Sequence, residues 1–182
     1  MLDKPAGVRR EARWLEVPDA ALLLESAWTL APLTTQRDAL PTPFAHALLA
    51  TFLLTGARSS ELLGLEMSDV SFDRGTVTIR PNGLRRLKSL TSARVVPLWP
   101  QLEAILRPFI FSRPPTTLLF PSFITGREAM LLDWRKTLDR IAVRAGWTRG
   151  EVRSKAFRHT YCAARLQTLE GGGAGEPVHR VA

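Results

Sequence analysis

Gly75 to Leu98 reads G-T-V-T-I-R-P-N-G-L-R-R-L-K-S-L-T-S-A-R-V-V-P-L, and its period decides the fold class. Thr76 to Arg80 is rich in β-branched residues and alternates apolar with polar positions, the pattern of a half-buried strand. Pro81-Asn82-Gly83 is turn chemistry, and Arg94-Val95-Val96-Pro97-Leu98 returns as the partner strand. Leu84–Lys88 is expected as a short middle strand, which makes a small three-stranded antiparallel sheet.

Outward from this segment the period is helical. On the N-terminal side, Val17-Pro18-Asp19 opens a helix to about Leu30, with proline in the first turn. Three prolines make 31–43 a loop. A strongly apolar helix runs from Phe44 to Thr55 and is capped by Gly56; Ser59-Ser60-Glu61-Leu62-Leu63 restarts a short one. On the C-terminal side, helices are expected from Pro100 to Phe111, Arg127 to Ala145 and Phe157 to Leu169. The fold class is therefore mixed, mainly α with one small antiparallel sheet. Residues 15–170 form one domain, between an N-terminal tail (1–14) and a Gly-rich tail (171–182).

The composition of the 182 residues, 45% hydrophobic and 23% charged, excludes a disordered or low-complexity chain. A chain of this length buries a core without disulfides or metals. One cysteine, Cys162, cannot form an internal disulfide, and with three histidines it gives no zinc-ligand spacing. The N-terminus M-L-D-K-P-A-G-V-R-R carries charges where a signal peptide is apolar. The longest apolar run, 44–57, is too short to span a bilayer. A soluble, cytoplasmic protein with no membrane partner is expected.

The charge is unbalanced. Against 17 Asp+Glu there are 25 Lys+Arg, a net of +8, which points to a polyanionic partner. The excess is local. Arg74, Arg80, Arg85, Arg86, Lys88 and Arg94 fall within 74–94 with no acidic residue among them, and 127–158 holds nine basic residues against four acidic. Such blocks read as solvated cationic faces or as phosphate contacts.

Three clusters can carry chemistry. In Thr55-Gly56-Ala57-Arg58-Ser59-Ser60-Glu61-Leu62, Arg58 stands between two helices and Glu61 is in reach of its guanidinium. Alone, this is either a surface ion pair or an active-site arginine. Lys88, near a hairpin tip, is either a solvated lysine or one that swings into a groove. In Lys155-Ala156-Phe157-Arg158-His159-Thr160-Tyr161, Lys155 and Arg158 share one face beside a helix start whose N–H groups favour an anion. Phe157 and Tyr161 are expected in the core.

Taken together, in this order, the G-A-R-x-x-E-L segment at 56–62, Lys88 ahead of V-V-P-L, and R-H-T-Y ending at Tyr161 resemble the catalytic domain of tyrosine recombinases, the phage-integrase family, over roughly residues 15–170. The resemblance implies DNA strand cleavage and rejoining through a phosphotyrosine, with double-stranded DNA as partner. It implies that Arg58 and Arg158 clamp a scissile phosphate and that Lys88 protonates the leaving 5′-oxygen. Lys155 stands where the family usually has histidine. Glu61 and His159 are expected in support, and Arg85, Arg86 and Arg94 on DNA. No metal and no cofactor are implied, and no G-x-x-x-x-G-K-[ST] phosphate loop is present.

The chain departs from the family pattern in three ways. No Gly-His or Gly-Trp pair follows Arg158. The one tyrosine, Tyr161, occupies the place of a core aromatic, and about 15 residues precede the first helix. These departures predict a catalytic core cut short at both ends, inactive and monomeric alone where an intact member forms a tetramer on DNA. The alternatives are a non-catalytic module that caps or competes for recombination sites, and a basic protein for RNA or acidic partners.

Overall fold

The computed structural model describes residues 14–31, 40–85, 92–122 and 127–170. Among the described residues six α-helices appear in chain order: α1 (Val17–Trp28), α2 (Thr42–Thr55), α3 (Ser59–Leu63), α4 (Pro100–Phe111), α5 (Arg135–Arg144) and α6 (Ser154–Glu170). The strands are β1 (Val70–Ser71), β2 (Thr76–Ile79), β3 (Arg94–Pro97), β4 (Pro121–Ser122) and β5 (Ala129–Met130). None of the described helices is long and apolar enough to cross a membrane.

Helix α2 organises the packing. Its sequence T-P-F-A-H-A-L-L-A-T-F-L-L-T is apolar around the whole circumference, and such a helix must be surrounded. Ala45, Ala47 through Phe52, Leu53 and Thr55 are buried, and α1, α4 and α6 pack against it. The two buried threonines cost little, because Thr51 Oγ1 donates to the Ala47 carbonyl at 2.7 Å and Thr55 Oγ1 to the Thr51 carbonyl at 2.6 Å. The helix ends at Gly56, which has φ +58° in the left-handed region that glycine adopts without penalty.

The sheet is antiparallel in the order β1-β2-β3, with Thr76 opposite Pro97 and Val77 opposite both Val70 and Val96. Val77, Ile79 and Val96 face the core, as the alternation predicts. The third strand of the described sheet, however, does not come from the expected Leu84–Lys88, of which Leu84 and Arg85 alone are described. It is Val70–Ser71, which lies ahead of β2 and makes β2 the central strand. Leu84 and Arg85 form a turn instead: the Asn82 side-chain oxygen accepts the N–H of Leu84 at 3.0 Å and of Arg85 at 2.7 Å. An asparagine that binds the backbone two and three residues on competes directly with a ladder. Residues 86–88 lie outside the described residues.

The helix expected from Arg127 begins only at Arg135. Ala129 and Met130 pair with Ser122 and Pro121, and the Glu128 carboxylate accepts the N–H groups of Thr117 and Leu118 at 3.1 and 2.6 Å. A glutamate engaged with the backbone of residues 117 and 118 is not free to open a helix. Helix α6, by contrast, starts three residues before Phe157. Of the expected tails at 1–14 and 171–182, residues 1–13 and 171–182 lie outside the described residues.

Candidate anion site between α2, α3 and α6

The turn between α2 and α3 sets the first wall of a cleft. Gly56 reverses the chain, and Arg58 is the N-cap of α3 in extended conformation, φ −72° and ψ 155°. Glu61, at the third helical position, reaches back to accept the Arg58 N–H at 2.9 Å, the half of a capping box that a glutamate supplies. Its other oxygen accepts Arg58 Nη1 at 2.8 Å. The expected Arg58–Glu61 pair is thus present, and it is lopsided: the Arg58 side chain is 39% exposed and that of Glu61 is 1% exposed.

Helix α6 supplies the second wall. Phe157 is fully buried against Phe52 and Trp134, with ring centroids 6.0 and 6.3 Å away. At about 100° per residue, anchoring Phe157 inward turns Lys155 and His159 to the opposite side and Arg158 to the flank. Tyr161 lies half-buried across Gly56, so close that a Cβ at Gly56 would stand 2.4 Å from its Cδ1. Gly56 is therefore required twice, for its φ and for this contact.

The two walls meet through the backbone. Arg158 Nη1 donates to the Gly56 carbonyl at 2.8 Å across 102 residues of sequence. Ala57, Arg58 and Ser59 then face Ser154, Lys155, Arg158 and His159 across an open cleft of about 370 Å³. Three cations border it at the N-terminal end of α6, the positive end of the helix dipole. The arrangement suits an anion with several oxygens, above all a phosphate.

Behind this cleft lies a layer that sequence reasoning did not anticipate. Arg94 Nη2 donates to Glu61 Oε2 at 2.9 Å, and its Nη1 to the Ser92 carbonyl at 3.0 Å. Burial alone would raise the Glu61 pKa. The hydrogen bond from Arg94, then those from the Arg58 N–H and guanidinium, outweigh it and hold the carboxyl at about 2.

Arg85, expected on DNA, requires correction: its side chain is fully buried. It donates to the Glu61 carbonyl at 2.6 Å, to the Arg80 carbonyl through Nε at 2.8 Å and through Nη2, and to Asp69 Oδ2 at 3.2 Å. Its stem passes over Gly64, where a Cβ would come within 2.8 Å of Arg85 Cβ. Burial lowers the Arg85 pKa, and the Asp69 carboxylate works against that shift. Arg80 holds the other Asp69 oxygen at 2.6 Å. Arg86 and Lys88, the other two hairpin cations singled out, lie outside the described residues.

The described residues thus form a helical domain with a small antiparallel sheet, in which Arg58 and Arg158 border one cleft. The chain belongs to the phage integrase family, whose model matches residues 33–168. The fold is that of tyrosine-recombinase catalytic domains. Tyrosine recombinase XerD of Brucella suis biovar 1 (strain 1330) is 29% identical over 128 residues, covering 67% of this chain and 39% of that protein. The XerH site-specific recombinase, in its pre-cleavage complex with difH substrate, superposes with a TM-score of 0.62 at 22% identity, over 86% of this chain and 43% of that one. The catalytic domain of bacteriophage HP1 integrase gives a TM-score of 0.53 at 19% identity, over 90% and 76%. This chain thus spans well under half the length of the XerD relative it matches.

Proposed function

We propose that the cleft between Arg58 and Arg158 holds the scissile phosphate of double-stranded DNA in site-specific strand cleavage and rejoining. The observation that carries this reading is the convergence of two arginines, 100 positions apart in sequence, through the Gly56 carbonyl. Arg58 and Arg158 contact the non-bridging oxygens, and Lys155 adds a third cation at the helix start. Attack by a tyrosine hydroxyl forms a phosphotyrosine bond and releases the 5′-oxygen, which Lys88 protonates. Reverse attack by a 5′-hydroxyl restores the DNA. Fixed cations stabilise the charge that builds at phosphorus, each worth on the order of 10²–10³ in rate.

Tyr161, the one tyrosine in the sequence, is not the nucleophile in this reading, because it stands three residues past Arg158 on the same helix with its ring packed over Gly56. The same observation favours a second reading, in which these 182 residues bind recombination sites without cutting them. Both are tested with labelled duplex DNA. Under both, affinity falls steeply with salt, with a log–log slope of about −0.9 per phosphate contacted, and Arg58→Ala and Arg158→Ala each weaken binding while thermal unfolding stays cooperative. A flat salt response, or wild-type affinity in both variants, overturns the clamp. An SDS-stable adduct on a nicked substrate, dependent on a tyrosine supplied in trans, selects the catalytic reading; binding with no adduct under any supply selects the second.

A further inference from the structure

We propose that Arg94, and Arg85 behind it, are positioning residues that act on Arg58 through Glu61 and do not contact DNA. The inference rests on the phosphate-clamp reading above and reassigns two residues within it.

Glu61 is a hub. Its carboxylate accepts the Arg58 N–H, Arg58 Nη1 and Arg94 Nη2, and its carbonyl accepts Arg85 Nη1. Arg85 lies just after β2 and Arg94 opens β3, so the two stand on the two arms of this hairpin. Both arms therefore end on the residue that orients Arg58. With its side chain 1% exposed, Glu61 draws almost no compensation from water, so its charge must be met by these donors.

The charge balance gives Arg94 a purpose. Arg58 and Glu61 alone form a neutral pair, a poor magnet for phosphate. Arg94 engages Glu61 Oε2 and leaves the three-residue cluster with a net charge of +1, so that Arg58 meets an anion without being neutralised from behind. Arg94 itself spends both terminal nitrogens inward, on Glu61 and on the Ser92 carbonyl. The low pKa of Glu61, with Arg94 as its first lowering partner, agrees with that arrangement.

The test compares the 182-residue wild type with Arg94→Gln, Glu61→Gln and the double variant, each checked for cooperative unfolding, on duplex DNA across a salt series. A positioning role predicts that Arg94→Gln weakens binding about tenfold or more in the wild-type background. In the Glu61→Gln background it costs little, and the salt slope is unchanged. Equal losses in both backgrounds, with the slope smaller by about 0.9, mark a direct phosphate contact and overturn the proposal. A second measurement needs no DNA: the carboxyl ¹³C titration of Glu61. Its midpoint moves up in Arg94→Gln and is largely restored in Arg94→Lys. An unmoved midpoint overturns the proposal even if Glu61→Gln fails to fold. A wild type without salt-dependent DNA affinity, but with the midpoint shift intact, removes the clamp reading and leaves the Arg94–Glu61 coupling standing.

Discussion

Arg158 hangs on Gly56: its guanidinium donates to the glycine carbonyl at 2.8 Å, so the arginine from the last helix is held by the residue that turns the chain toward the other. One backbone group thus sets where Arg158 stands relative to Arg58. That carbonyl is available because Gly56 has left the α2 helix in the left-handed conformation.

Substituting Gly56 with alanine is therefore expected to act twice. A non-glycine residue at φ +58° costs about 1–2 kcal/mol, and the new Cβ lands on the Tyr161 ring. Urea unfolding should show a loss of about 2–4 kcal/mol. In Gly56→Ala/Tyr161→Ala the loss should fall short of the sum of the two single losses, because the clash is gone and the φ penalty stays. Strict additivity would mean that the ring moves aside freely.

Arg158→Lys separates charge from geometry. A lysine keeps the cation but has no planar fork with which to hold the Gly56 carbonyl and a phosphate oxygen together. Duplex DNA affinity should drop about tenfold or more, since hydrogen bonds to charged groups are worth about 1.5–3 kcal/mol. The melting temperature should change little. Wild-type affinity in this variant would show that charge alone suffices.

Much of this was legible in the sequence, and the failures have physical causes. Gly56 as a cap, Pro100–Phe111 as a helix and the pairing of β2 with β3 were readable because each is written locally, in a glycine, a proline or an alternation. The Arg58–Glu61 contact was readable for the same reason, being three residues long. Val70–Ser71 was missed because a two-residue strand has no period. Helix α5 was begun too early because Glu128 serves the backbone of residues 117 and 118, which no local rule reveals. Arg85 reads as a DNA contact because charge in sequence does not state its partner, and Asp69 lies 16 positions away; the Arg94–Glu61 pair, 33 positions apart, is hidden for the same reason. Arginines in an acid-free block look solvent-facing until the fold delivers a carboxylate from elsewhere.

The buried pair makes its own prediction. Arg85→Met leaves the carbonyls of Glu61 and Arg80 without their donor and removes one of the two guanidiniums on Asp69. Breaking a buried pair by deleting one partner costs about 3–5 kcal/mol. The remaining Arg80 contact places the expected loss near the lower figure. Chemical denaturation measures it; a change within a few tenths of a kcal/mol would show that the network contributes nothing net. Asp69→Asn, which keeps the volume, should lose less than Arg85→Met, because the amide oxygen can still accept part of the three bonds the carboxylate takes from Arg80, Arg85 and the Glu66 N–H.

The Glu61 carboxylate also sets an acid limit. Its folded pKa of about 2 lies below its ordinary value of 4.5, so the unfolded chain takes up its proton first as pH falls. The contribution of Glu61 to stability is accordingly complete above pH 4.5, declines as pH falls through the interval, and is gone below about 2. Urea unfolding at a series of pH values should show wild-type stability falling across this window, on top of the common acid response. Glu61→Gln should be less stable at neutral pH and should fall less steeply there. Arg94→Gln is expected between the two, because it raises the folded pKa and so narrows the window from below. Parallel profiles for wild type and Glu61→Gln would mean that the carboxylate is no better held in the folded protein than in the unfolded chain, and the three-donor geometry around it would then carry no free energy.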